Sequence, residues 1–229
     1  MRTITFFAII IGFSVSIGFS QKSKTPVKTS PPKTFQTATM GEISDAEWKN
    51  LATFLQAEDW NNSALLASQY LQKLKVDNDK KQLAQLRYFY LYSLAGKILA
   101  VTNAAVPANK VSVWKELNAA VGSFIGREFV LPPRRALTEC REVLNYICPV
   151  GGDERAVRVT ATNNAGTMIH SFDYVLFDGK IALDKFIGKE VFLGGKLKKA
   201  EFNQELSKLW VMRLIFENGF ARVIVPNDK

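Results

Sequence analysis

The hydrophobic repeat of this chain changes once, near Gly126, and that change limits the folds open to it. Before that point apolar residues recur every three to four positions, as on a helix. After it they alternate, as on a half-buried strand. Trp48, Leu51, Ala52 and Leu55 form the first stripe, and Ser44 with Glu47 has the spacing of a capping box. Asp59 is placed to cap a second helix with Ala64, Ala67, Leu71 and Leu74 on one face. Val76–Asp79 breaks the pattern, and a third helix comes next with Leu83, Leu86, Tyr90, Leu94 and Ile98. Phe89, Leu91 and Leu99 widen its apolar arc, so burial on more than one side is expected. Val113, Trp114, Leu117, Ala120 and Val121 form a last helix leaning on the strand-rich half of the chain.

Strands are expected at Arg127–Leu131, Ala156–Thr162, Thr167–Phe177, Lys180–Leu183, Lys189–Phe202, Ser207–Glu217 and Phe220–Val225. Asn163–Gly166 reads as a turn, Asp178-Gly179 and Asn218-Gly219 as hairpin turns, and Gly194-Gly195 as a bulge or bend. The expected fold class is α+β: an N-terminal three-helix segment, residues 41–110, packed against a C-terminal, mostly antiparallel β-barrel or β-sandwich, residues 111–226. Trp210 alternates with Met212, Leu214 and Phe216 and is expected in the core. Leu209, Val211, Arg213 and Ile215 on the other side are only partly polar, so this strand needs a cover and the helical segment can supply it.

Two segments echo one another. Phe124-Ile125-Gly126-Arg127-Glu128-Phe129-Val130-Leu131 and Phe186-Ile187-Gly188-Lys189-Glu190-Val191-Phe192-Leu193 share five identities in eight positions, and a sixth exchanges Arg127 for Lys189. Each places a glycine before a strand that opens on a basic–acidic pair, so the same tight approach is expected twice. From Gly188 to Leu197, with its glycine pair, the second copy resembles the opening strand of an OB-type barrel. That resemblance implies a ligand face on the middle strands and adjoining loops. The helices around Asp59 and Asn78 resemble, in texture, tetratricopeptide repeats, without a clean 34-residue period.

The N-terminus gives a compartment. Met1-Arg2 precedes an apolar run from Ile4 to Phe19 that ends in Gly18-Phe19-Ser20-Gln21, with no acidic residue before Glu42. A basic start, a run shorter than the roughly 20 residues that span a bilayer and a small-residue exit read as a cleaved secretory signal over 1–20. Residues 21–40, rich in Lys, Pro, Ser and Thr, read as a disordered linker. The expected location is the periplasm or the extracellular space, with no membrane span after cleavage. Of the formal +9, Arg2, Lys22, Lys24, Lys28 and Lys33 supply five, leaving +4 on all other residues, which makes nucleic acid an unfavoured partner.

Two cysteines and one histidine exclude a four-ligand Cys/His zinc site within the chain. No metal, cofactor or catalytic residue is nominated. Export permits a Cys140–Cys148 disulfide. Pro133–Ile147 also has a helical stripe, and a helix would hold those two Cα atoms about 12 Å apart, beyond disulfide reach. Helix and disulfide therefore exclude one another, and the disulfide, which a bent or extended segment through Val143, Tyr146, Ile147 and Pro149 allows, is the expected one. Arg134, Arg135, Lys196 and Lys198 are candidate ligand-binding residues, as are Tyr88 and Tyr92, four apart on a helix. The leading functional expectation is a non-enzymatic secreted or periplasmic interaction or envelope-assembly module, with another envelope or extracellular protein as partner. One alternative is a small barrel holding an anionic polymer or oligosaccharide. The other is a secreted hydrolase, which requires His170 beside a carboxylate at a concave opening.

Overall fold

Ser44 and Glu47 open the first helix as their spacing requires. The Ser44 Oγ accepts the Glu47 N–H at 3.3 Å and the Glu47 carboxylate accepts the Ser44 N–H at 2.9 Å. The computed structural model describes residues 42–74, 80–103, 107–138, 140, 144–204 and 210–224; the expected signal and linker lie outside the described residues. Helix α1 (Asp45–Gln56) is followed by α2 (Trp60–Lys73), where the Asp59 carboxylate accepts the Asn62 N–H at 3.1 Å. Lys73 of α2 pairs with Glu47 at 2.9 Å. Helix α3 (Lys80–Asn103) is buried on two sides. Its Leu86 joins Leu51, Ala67, Tyr70 and Leu74, while Leu91, Leu94 and Ile98 join a core shared with the strands. A fourth helix, α4 (Pro107–Phe124), extends the helical part beyond residue 110, with proline at its first position.

The strands are β1 (Glu128–Val130), β2 (Arg134–Arg135), β3 (Cys148–Val150), β4 (Asp153–Thr162), β5 (Met168–Leu176), β6 (Glu190–Phe202) and β7 (Met212–Val223). They form one seven-stranded sheet in the order β1-β6-β7-β5-β4-β3, with β2 paired to the start of β6. Every pairing is antiparallel except β5 with β7, which is parallel. The α+β class and the helices-then-strands order are as expected.

The closed barrel or two-sheet sandwich is not formed: the sheet is open. Among the described residues its ends come together at an isolated parallel bridge between Ala136 and Ile147. Leu137 N–H donates to Ile147 O at 2.9 Å, and Ile147 N–H to Arg135 O at 2.8 Å. A closing ladder has little to build on, because β2 and β3 are two and three residues long. Pro132 and Pro133 precede β2 and Pro149 lies in β3, and proline donates no ladder hydrogen bond.

The echo in the sequence is an echo in the backbone. Gly126 and Gly188 have φ of 75° and 73°, a region that favours glycine. The next N–H closes the same turn in both: Arg127 onto Phe124 O at 2.9 Å and Lys189 onto Phe186 O at 3.0 Å. The strands so launched, β1 and β6, then pair with each other, Val130 opposite Gly194.

Two turn and strand expectations change, and the choice between helix and disulfide is decided for the disulfide. Asn218-Gly219 is a bulge within β7, not a hairpin: Gly194 faces Phe220 and Lys196 faces Glu217, so two residues of β7 oppose Gly195. Asn218 supplies the left-handed φ of 51°. A Cβ on Gly219 would meet Val175 Cγ1 at 2.7 Å, so this glycine lets β7 lie against β5. Lys180–Leu183 is not a strand: residues 180–182 have no regular structure and a short 3-10 helix spans Leu183–Phe186. Pro133–Ile147 is not one helix, because Arg134–Arg135 is strand and Cys140 and Cys148 form a disulfide with Cα atoms 5.8 Å apart.

Candidate functional site

Among the described residues the interior holds one ionisable pair, made adjacent by an irregularity in β5. Val159 opposes Asp173 and Ala161 opposes His170, so two steps along β4 match three along β5. The extra residue turns His170 and Asp173, which regular alternation would put on opposite faces, onto the same face. His170 Nδ1 lies 2.8 Å from Asp173 Oδ2, and both side chains are 0% exposed. The other carboxylate oxygen accepts the Leu214 N–H of β7 at 2.7 Å. With Asp173 as the carboxylate, which only accepts, Nδ1 is the donor of this bond. His170 Nε2 is buried with no hydrogen-bond partner.

Helix α3 closes this pair from above. Tyr88 and Tyr92 meet the imidazole edge-to-face, with centroids 5.3 and 5.8 Å away. Their own rings stack at 6.4 Å. The Tyr92 hydroxyl donates to Thr162 O at 2.8 Å. Burial, reinforced by the negative Asp173, pushes the Tyr88 phenol well above its ordinary value. Burial and Glu58 push Tyr92 up to about 12. Because the fold holds the neutral phenol, this contribution is fully present below the unfolded value of about 10 and is lost as pH rises toward about 12. Denaturant titrations across that window should show Tyr92→Phe losing less stability than the parent chain. Parallel losses would remove Tyr92 as the cause.

The nominated ligand-binding residues do not come together. Tyr88 and Tyr92 are packed inward and offer no exposed platform, Tyr88 being only 3% exposed. Arg134 is paired with Val191 and shares its buried side of the sheet, with Nη1 on Pro133 O at 2.9 Å. Arg135 beside Glu190 is exposed. Lys196 and Lys198 project from the opposite, exposed face of β6, where Lys198 pairs with Glu217 at 3.3 Å. The expected cluster of Arg134, Lys196 and Lys198 is therefore divided by the sheet itself. His170 has the carboxylate that a hydrolase would need, and both side chains are 0% exposed.

A different basic cluster forms on the outer face of the sheet. Arg158 of β4 opposes Tyr174 of β5, which lies beside Ile215 of β7, which opposes Lys199 of β6. One step along, Arg213 opposes Glu201. The Arg158 guanidinium sits 4.3 Å from the Phe172 ring centroid. That of Arg213 lies 5.4 Å from Tyr174 and 5.6 Å from Trp210, with Nη1 3.3 Å from Glu201. A hydrogen bond from Lys199, with the nearby Arg213 charge, holds Glu201 below its usual value. Trp210 is thus half-buried against Arg213 and not in the core with Met212, Leu214 and Phe216. These side chains cover the partly apolar side of β7, while the helices share the core on the other.

Sequence reasoning missed this cluster because its members come from four strands. The available signal was aromatic or arginine residues at outward positions, where simple polar ones are usual. Assembling them requires β7 to lie parallel to β5, which no turn signal announces.

No protein-family model, curated protein or solved structure matches the chain. Among the described residues no group of three or more His, Cys, Asp or Glu side chains is placed to hold a metal ion. A surface depression of about 180 Å³ lies between the α1–α2 turn and α3, beside Trp60 and Lys97. Another, at Gly152–Arg155 and Lys180, is a wide shallow opening whose Lys180 is neutralised by Glu154 at 2.9 Å.

Proposed function

We propose that this chain is a non-enzymatic, exported binding module that holds an anionic macromolecule on the outer face of its sheet. The observation that carries the proposal is the pair of guanidinium groups stacked on aromatic rings across β4, β5 and β7. Stacking fixes both groups before any partner arrives, which lowers the ordering cost of binding. Arg158, Arg213, Lys196, Lys198 and Lys199 outnumber Glu201 and Glu217 on that face, which favours a negative partner. Export rests on the basic start, apolar run and small-residue exit of residues 1–20. It is supported by the Cys140–Cys148 disulfide, a bond that persists in oxidising compartments. Among the described residues no helix is long and apolar enough to cross a membrane.

Two measurements test this. Protein recovered outside the cytoplasm should begin at Gln21, and an intact Met1 there would overturn signal cleavage. On immobilised heparin, the chain beginning at Gln21 should elute only at raised salt. Lys196→Gln with Lys198→Gln, and separately Arg158→Gln with Arg213→Gln, should elute earlier while unfolding cooperatively. Retention that ignores salt, or that survives both pairs of changes, would end the proposal.

A further inference from the structure

Building on that reading, we infer that the partner is a linear glycan bearing carboxylates at intervals, and not a nucleic acid. Sequence-tolerant binding of single-stranded nucleic acid relies on open aromatic faces for base stacking. Here Phe172, Tyr174 and Trp210 already carry guanidinium groups, at 4.3 to 5.6 Å from the ring centroids. With both Nε atoms buried, the groups left to meet a ligand are the terminal Nη ends of the two guanidiniums, Arg213 sharing its Nη1 with Glu201, and such paired Nη groups match a carboxylate.

Charge spacing points the same way. Arg158 and Arg213 stand on β4 and β7 with β5 between them, two strand spacings or about 10 Å apart across the sheet. Between and beside the cations lie carboxylates: Glu201 at 3.3 Å from Arg213 and Glu217 at 3.3 Å from Lys198. A chain with a charge on every residue, such as a polynucleotide, would press some of its phosphates onto those carboxylates. A glycan with acidic groups separated by hydroxyl-bearing sugar sets its carboxylates on the arginines and lets its hydroxyls donate to Glu201 and Glu217.

The test compares hyaluronan, an oligothymidylate and poly-glutamate by titration calorimetry on the same chain at one salt concentration. Hyaluronan should bind at least about ten-fold more tightly than either of the others. Arg213→Lys keeps the charge and loses the fork and the stack, and should weaken hyaluronan about ten-fold. Arg158→Lys serves the same purpose if Arg213→Lys does not fold. Glu201→Gln should weaken hyaluronan and strengthen the oligothymidylate, a crossed response that general destabilisation does not produce. Oligothymidylate or poly-glutamate binding as well as hyaluronan would overturn the glycan assignment while leaving salt-sensitive heparin retention, and the anionic-partner proposal, in place. Loss of heparin retention as well would overturn both.

Discussion

Asp173→Ala should lower the stability of the folded chain by about 3–5 kcal/mol, measured by urea unfolding. The carboxylate serves two strands at once: it accepts from His170 within β5 at 2.8 Å and from the Leu214 N–H of β7 at 2.7 Å. Neither donor has water available, since both His170 and Leu214 are 0% exposed. Alanine leaves two buried donors unpaired, at about 1–3 kcal/mol each, plus a small cavity. The parallel β5–β7 contact should therefore be the first part of the sheet to loosen, visible as faster hydrogen exchange at Leu214. Replacing both members, His170→Phe with Asp173→Leu, should recover part of the loss, because the imidazole donor is removed with its acceptor and only the Leu214 N–H is left unpaired. A double variant no better than Asp173→Ala would show that the pair's worth lies in shape and not in polar satisfaction.

The sequence was most legible where one local interaction decides the geometry. Ser44 with Glu47, Asp59, and the two glycines Gly126 and Gly188 acted as their neighbours implied, because caps and left-handed turns are settled within a few residues. Four strands, β1, β4, β5 and β6, fall close to where alternation placed them. Legibility failed where a residue's meaning depends on a distant strand. Asn218-Gly219 has the residues of a hairpin, yet the backbone of β5 and the long β6 hold it straight as a bulge. The His170–Asp173 pair needed an extra residue in β5 whose only sign is its register against β4. Arg158, Phe172, Tyr174 and Arg213 were visible as alternating residues, but their meeting depends on a strand order that sequence adjacency does not supply. Arg134, Lys196 and Lys198 failed as a cluster for the same reason: β2 and β6 do pair, but alternation sends the side chains to opposite faces.

Removing the disulfide, by Cys140→Ala with Cys148→Ala, should cost about 2–4 kcal/mol and open the seam of the sheet. The bond joins residues separated by eight positions, and closing so short a loop accounts for about 2.5 kcal/mol through the unfolded chain alone. Native contacts add to this, because the loop carries the groups that hold the two sheet ends together. Ile147 exchanges hydrogen bonds with Arg135 and Leu137, and Asn145, with φ of 65°, donates from its N–H to Thr160 Oγ1 and from Nδ2 to Thr162 Oγ1, both at 2.8 Å. Without the covalent link, the two hydrogen bonds of Asn145 and the single Ala136–Ile147 bridge stand alone against the entropy of the loop. Hydrogen exchange should then accelerate at Ile147 and Leu137 well before it does in α3, and a reducing agent should produce the same pattern in the unaltered chain. If the double variant keeps both its unfolding midpoint and the protection of those two amides, the seam is held by Asn145 and the backbone bridge, and the disulfide is a marker of compartment alone.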